Sequence, residues 1–153
     1  MRLLATGLIL ILTGVLAAQD APKKKKKVRP PFKWVNKLPA NAPKAVRHAT
    51  FKSRSMGVEV GYCLYLPPQY QDKTSQRYPV VYYLHGGRPG NEMKSIKLVP
   101  WIHKAMKAGK VAPAIYVFPN GGPVSHYNMG KKSQMGEDVF IKELIPHIDA
   151  TYR

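Results

Sequence analysis

Cysteine is almost missing from this chain. Cys63 stands alone, so no intramolecular disulfide can form and the fold must be stable without one. It lies in an apolar, strand-like run without a partner base or an exposed turn, and so reads as a small buried residue, not a nucleophile. Acidic residues are scarce, 8 against 25 Lys and Arg, giving a formal charge of +17. The five histidines show neither H-x-x-x-H nor H-E-x-x-H spacing, so spacing supports no metal site, and no cofactor is expected. None of the six serines carries the flanking glycines of G-x-S-x-G, the turn that seats a nucleophilic serine in some hydrolytic folds. No internal repeat is present.

The excess positive charge is unevenly placed. Residues 1–47 hold 11 basic residues against one acid, whereas residues 48–153 hold 14 against seven. The first stretch, MRLLATGLILILTGVLAAQD, has Arg2, an apolar run from Leu3 to Leu16, and the small residues Ala17 and Ala18. That three-part layout reads as a signal peptide over 1–18, cleaved near Ala18; an uncleaved anchor is the alternative. The expected location is therefore secreted or periplasmic, with surface association open. Residues 19–47, which include PKKKKKVRPP, read as a Lys/Pro-rich linker, because a proline-flanked lysine block repels itself and stays extended. It is either a plain spacer or a weak contact for anionic envelope material. Phe32, Trp34 and Val35 are candidates to dock on the domain surface. No basic amphipathic helix interleaved with base-stacking aromatics appears, so no nucleic-acid partner is expected.

From residue 48 the pattern becomes globular. ATFKSRSM and VEVGYCLYLPP flank Gly57 as a hairpin; in the second run Val58, Val60, Tyr62, Leu64 and Leu66 recur with a period of two. PVVYYLH is continuously apolar, as expected of a central strand covered on both faces. A helix opens at Pro100, with Trp101, Ile102, Ala105 and Met106 on its apolar side, and closes at Gly109. VAPAIYVFP is the next strand. GEDVFIKELIPHIDATY is a further helix, with acids in its first turn, an Ile141–Leu144–Ile145–Ile148 stripe and a kink or break at Pro146. Two apolar strands separated by a helix make a parallel βαβ unit, hence an α/β domain.

The candidate chemistry lies where the third strand ends. Gly86 and Gly87 can line up backbone N–H groups for a developing negative charge, since glycine accepts positive φ and lets a substrate approach the backbone. Three segments, YPVVYYLHGGRPGNE, VAPAIYVFPNGG followed by SHYN, and EDVFIKELIPHIDATYR, occur in that order. Together they resemble the esterase family of α/β-hydrolases that includes feruloyl and acetylxylan esterases, enterochelin esterase, S-formylglutathione hydrolase and the mycolyltransferases. The resemblance covers residues 48–153 and implies the N-terminal half of an α/β-hydrolase fold: a hairpin, a parallel βαβ unit and a following helix, ending before the nucleophile elbow.

What it further implies is a serine ester hydrolase acting on an acylated carbohydrate, another polysaccharide ester or a similar small ester. The oxyanion donors fall on the backbone N–H groups of Gly87 and Arg88, with His85 and Gly86 supporting the turn. Ser125, His126 and Tyr127 fall on the loop bordering the acyl pocket. The serine, acid and histidine of the triad are expected after Arg153, so no catalytic residue is expected in this chain. His85 then braces the turn, because the triad histidine comes last in this fold. A Ser125–His126 or Ser133–His126 pair is a weaker alternative, as is a non-catalytic domain binding envelope material through its lysines. His147, four after Glu143, reads as a surface pair.

Overall fold

The structure is a computed structural model describing residues 31–152 apart from 74 and 131–133. The expected signal peptide, the lysine block and Ser133 lie outside the described residues.

Four strands form one sheet in the order β1-β2-β4-β3. β1 (Val46–Lys52) and β2 (Glu59–Tyr65) pair antiparallel as the expected hairpin, from Val46 opposite Tyr65 to Lys52 opposite Glu59. Gly57 takes φ 72° in the connecting turn, a conformation glycine adopts without penalty. β2 pairs antiparallel with β4 (Ile115–Pro119), and β3 (Val80–Tyr82) pairs parallel with β4. The parallel pair needs a crossover, supplied by a 3-10 turn (Ile96–Leu98) running into α1 (Val99–Lys107). Pro100 lies in the first turn of α1, and Gly109 follows its end at φ 66°.

Each face of the sheet has its own core. Val60, Tyr62, Leu64, Ile115 and Val117 pack against Val139, Leu144 and Ile148 of the last helical segment. Cys63, Tyr65 and Phe118 pack on the other face against Ile96, Val99 and Met106. The period of two along β2 therefore separates two cores rather than core from solvent, and Val60 through Tyr65 are all buried.

Several expectations are corrected. β3 is the edge of the sheet among the described residues, not a central strand, and Val81, Tyr83 and Leu84 remain well exposed. Trp101 projects outward, 72% exposed, because Ile102 and Met106 supply the inner side of α1. The last helical segment does not break at Pro146. It runs from α2 (Gly136–Asp138) through a π-helical stretch (Val139–Leu144) into α3 (Ile145–Thr151). A proline ring collides with the carbonyl four residues before it and offers it no N–H, and a wider turn just upstream relieves both problems. The buried positions Val139 and Leu144 are consequently five apart, and Ile141 is turned to solvent. His147 is no surface partner of Glu143: it stacks on Phe51 and shares a 3.0 Å hydrogen bond with the Tyr62 hydroxyl, while Glu143 accepts from the Ser55 N–H at 2.7 Å.

Of the stretch that composition assigns to a linker, the described residues 31–47 pack on the domain before residue 48. Trp34 packs against the first core, the Gly61 N–H donates to its carbonyl at 2.7 Å, and β1 already begins at Val46. Aromatic burial outweighs the extended preference of the prolines on either side.

Candidate functional site

Both loops at the C-terminal ends of the parallel strands β3 and β4 meet at one cleft of about 630 Å³. The residues expected at the oxyanion turn and the acyl pocket line it: His85, Gly86, Gly87 and Arg88 from the first loop, Ser125, His126 and Tyr127 from the second. Leu84, Phe140 and Ile141 add apolar wall, and Glu137 adds one acid. Parallel strands direct their following loops to the same edge of a sheet, which is why segments some forty residues apart in sequence converge here.

Gly87 holds φ 77° and is exposed at the cleft. Among the described residues neither its N–H nor that of Arg88 donates to a protein acceptor. On the other side of the same peptide unit, the Gly86 carbonyl accepts from the Lys94 ammonium. A cation on a peptide oxygen polarises the whole amide and makes its N–H a stronger donor. The Arg88 guanidinium stands 5.3 Å from the Tyr127 ring centre, a cation–π contact that ties the two loops together across the cleft.

Beneath the turn lies a histidine pair. His85 is 5% exposed, and its ring centre is 4.8 Å from that of His126. The slot exists because its walls are glycine: a Cβ on Gly90 would sit 1.6 Å from His85 Cε1, and one on Gly121 would sit 2.4 Å from His85 Nε2 and 2.7 Å from His126 Nε2. His85 thus braces the turn from below by filling this slot. Neither ring nitrogen of either histidine reaches a well-formed hydrogen bond. Burial, and then the neighbouring Lys94 charge, hold His85 below the ordinary histidine range, partly opposed by the nearby backbone of Gly86, His85 and Gly90. Burial, and then His85, bring His126 down to about 4. At neutral pH both rings are uncharged, and a cleft walled by neutral rings does not compete for the negative charge that the turn can receive.

The loop carrying His126 is strained: Ser125 and His126 take φ 61° and 63°, unusual for residues with side chains. A 2.7 Å bond from the His126 N–H to the Gly121 carbonyl holds this geometry. Downstream, the Asn128 side chain accepts from the Glu137 and Asp138 N–H groups at 3.2 and 3.3 Å and so caps the last helical segment. No Ser–His hydrogen bond occurs among the described residues; the Ser53 hydroxyl pairs with that of Ser55 and with the Met56 N–H.

Sequence reasoning missed Glu92, which has no solvent exposure. Its carboxyl oxygens accept from the Asn36 N–H at 2.8 Å, Asn36 Nδ2 at 3.0 Å, Asn120 Nδ2 at 2.9 Å and the His48 ring at 3.3 Å. Asn120 also donates to the carbonyls of Lys33 and Trp34 and accepts from the Gly122 N–H. One buried side chain therefore fastens the segment before β1 to the glycine turn after β4, and the Gly90–Gly122 bridge joins that turn to the other loop. The available signal was the polar triplet Gly90-Asn91-Glu92 after a glycine turn, which reads as solvated loop until Gly61 leaves room for the carboxyl group.

Comparison with known proteins gives one family. Residues 53–153 match the family Esterase, described as "Putative esterase". Two proteins of Mycobacterium tuberculosis, Esterase MT1326 of strain CDC 1551 / Oshkosh and Esterase Rv1288 of strain ATCC 25618 / H37Rv, are each 32% identical over 108 residues, covering 67% of this chain. The chain spans only 22% of the length of these relatives. Among solved structures, a ferulic acid esterase superposes with TM-score 0.61 at 25% identity, over 71% of this chain and 44% of its own. A ferulic acid esterase from the anaerobic fungus Anaeromyces mucronatus shares the fold with TM-score 0.55 at 20% identity, over 80% and 49%.

Proposed function

The chain belongs to the Esterase family of α/β-hydrolases, and on that premise we propose that its cleft is the oxyanion-binding side of an ester-hydrolysing site. The observation that carries this reading is the pair of adjacent N–H groups, Gly87 and Arg88, that have no protein acceptor among the described residues and border an apolar cleft. When a nucleophile attacks an ester carbonyl, the oxygen gains a full negative charge, and N–H donors aimed at it lower the barrier. Lys94 strengthens the Gly87 donor through the shared peptide, and the slot-bound His85 keeps the turn from collapsing into the cleft. The walls formed by Leu84, Tyr127, Phe140 and Ile141 suit the acyl or alcohol part of a small ester. The fungal neighbour has been solved with ferulic acid, and an aromatic acyl group of that kind would lie well against Tyr127 and Phe140.

The protein would be an exported serine ester hydrolase acting on acylated carbohydrate or a similar small ester. Its serine, acid and base would be supplied from outside the described residues, since none of the described serines meets a histidine. Two measurements test this. The 153-residue chain should not hydrolyse p-nitrophenyl acetate above buffer and heat-killed controls; robust turnover abolished by a serine-reactive phosphonate would overturn the placement of the nucleophile. The reading frame beyond codon 153 should encode G-x-S-x-G, then an acid, then histidine. A stop codon there removes the catalytic reading.

A further inference from the structure

The outer face of α1 has no role in the cleft and has an unusual composition. Trp101, 72% exposed, stands out from it without cover from the other described residues. Lys104 lies three residues after Trp101, on its side of α1, and the exposed Lys97 lies in the 3-10 turn one helical turn before it. Lys107 and Lys110 are exposed at its C-terminal end. None of these four lysines has an ion-pair partner among the described residues. The sequence has no acid between Glu92 and Glu137, and Glu92 is itself buried, so nothing on this stretch offsets the charge.

We propose that this face docks on an anionic lipid bilayer surface, with the Trp101 indole inserted at the headgroup level and the lysines on the phosphates. Unpaired lysines alone would suit any polyanion. Trp101 is not seated in a groove of its own domain, and a protruding ring flanked by unpaired lysines gains most where an apolar layer lies under charged headgroups. Lysine stems can extend along such a surface while their ammonium groups stay with the phosphates. The docking face lies on α1, on the side of the sheet opposite the last helical segment, which carries Phe140 and Ile141 of the cleft wall. The proposal therefore stands whether or not the ester-hydrolase reading holds.

The test is co-sedimentation of the full 153-residue chain with phosphatidylcholine vesicles containing a third phosphatidylglycerol, at low and high salt. The apolar run of residues 3–16 and the lysines of residues 23–27 stay unchanged in every variant and contribute a constant background. Trp101→Ala should weaken partitioning on the order of tenfold. Lys97→Gln with Lys104→Gln should weaken it about fivefold per lysine and flatten its salt dependence. Both changes are on exposed side chains and should leave the circular dichroism spectrum unchanged. Tryptophan emission should shift to the blue on anionic vesicles in the native chain and not in Trp101→Phe. The proposal is overturned if the variants partition like the native chain. It is equally overturned if Trp101→Ala loses as much on pure phosphatidylcholine, or if a soluble acidic polysaccharide, and not the vesicles, shows the loss on Trp101→Ala.

Discussion

Replacing Gly90 by alanine probes the architecture of the cleft at one point. The added Cβ would stand 1.6 Å from His85 Cε1, 2.1 Å from Nδ1 and 2.3 Å from Nε2, so ring and methyl group cannot coexist. The ring has no free direction of retreat: Gly121 walls the slot and the His126 ring lies 4.8 Å away, centre to centre. Either His85 leaves the slot or the Gly90–Gly122 bridge opens. Overpacking of this kind costs roughly 1–3 kcal/mol. For a domain of this size that corresponds to about 4–12 °C in melting temperature. Gly86→Ala is the internal control, because nothing lies within 4 Å of its Cβ position and its φ is not positive. It should stay within about 0.5 kcal/mol of the native chain. Urea unfolding followed by circular dichroism, with refolding checked, compares the two, and the imidazole signals in NMR spectra report whether His85 has moved. Equal midpoints for Gly90→Ala and the native chain, with unshifted His85 signals, would refute the slot.

Three further outcomes follow from the same geometry. Glu92→Ala removes an acceptor shared by four donors, of which the Asn36 N–H and the His48 ring keep no other among the described residues, and should cost about 3 kcal/mol, lowering the urea midpoint and exposing Lys33 and Lys37 to trypsin; a native-like digest would contradict the role given to Glu92. His126 has a folded pKa of about 4 against about 6.5 unfolded, so it has no effect on stability above pH 6.5. Between pH 6.5 and 4 the unfolded chain takes up a proton that the folded chain refuses, and stability should fall by about 3 kcal/mol; His126→Gln should remove that part of the slope, leaving what His85 and His147, both also held low, contribute. The Cys63 thiol, fully buried and pushed up to about 12, should resist Ellman's reagent in the folded chain and react at once in urea.

The hairpin and the βαβ unit were legible because each rests on local pattern: a period of two around Gly57, and a proline-to-glycine helix between apolar runs; that the loops after both parallel strands border one pocket was expected only from the family resemblance. The outlines of α1 came through for the same reason, with Pro100 and Gly109 marking its ends. What local pattern could not supply was position within the sheet. Val80, Val81 and Tyr82 have the composition of an interior strand, yet strand order alone decides that they sit at the edge among the described residues. The outward turn of Trp101 depends on which face of α1 meets Cys63 and Phe118, a tertiary fact. The π-helical stretch shifted the buried face of the last segment by one residue, so a 3.6-residue period wrongly included Ile141. Glu92 escaped because a glutamate is read as solvated unless the four groups that satisfy it, distant in sequence, are seen together.

The central claim concerns two backbone amides, and NMR can observe them directly. In a titration of the isotopically labelled chain with phenylphosphonate, a tetrahedral oxyanion, the Gly87 and Arg88 amide resonances should move together and saturably, while those of the remote turn glycines Gly57 and Gly109 stay fixed. Resonances of Gly87 and Arg88 that remain still while the ligand binds elsewhere, or shifts spread evenly over the basic surface, would contradict the account.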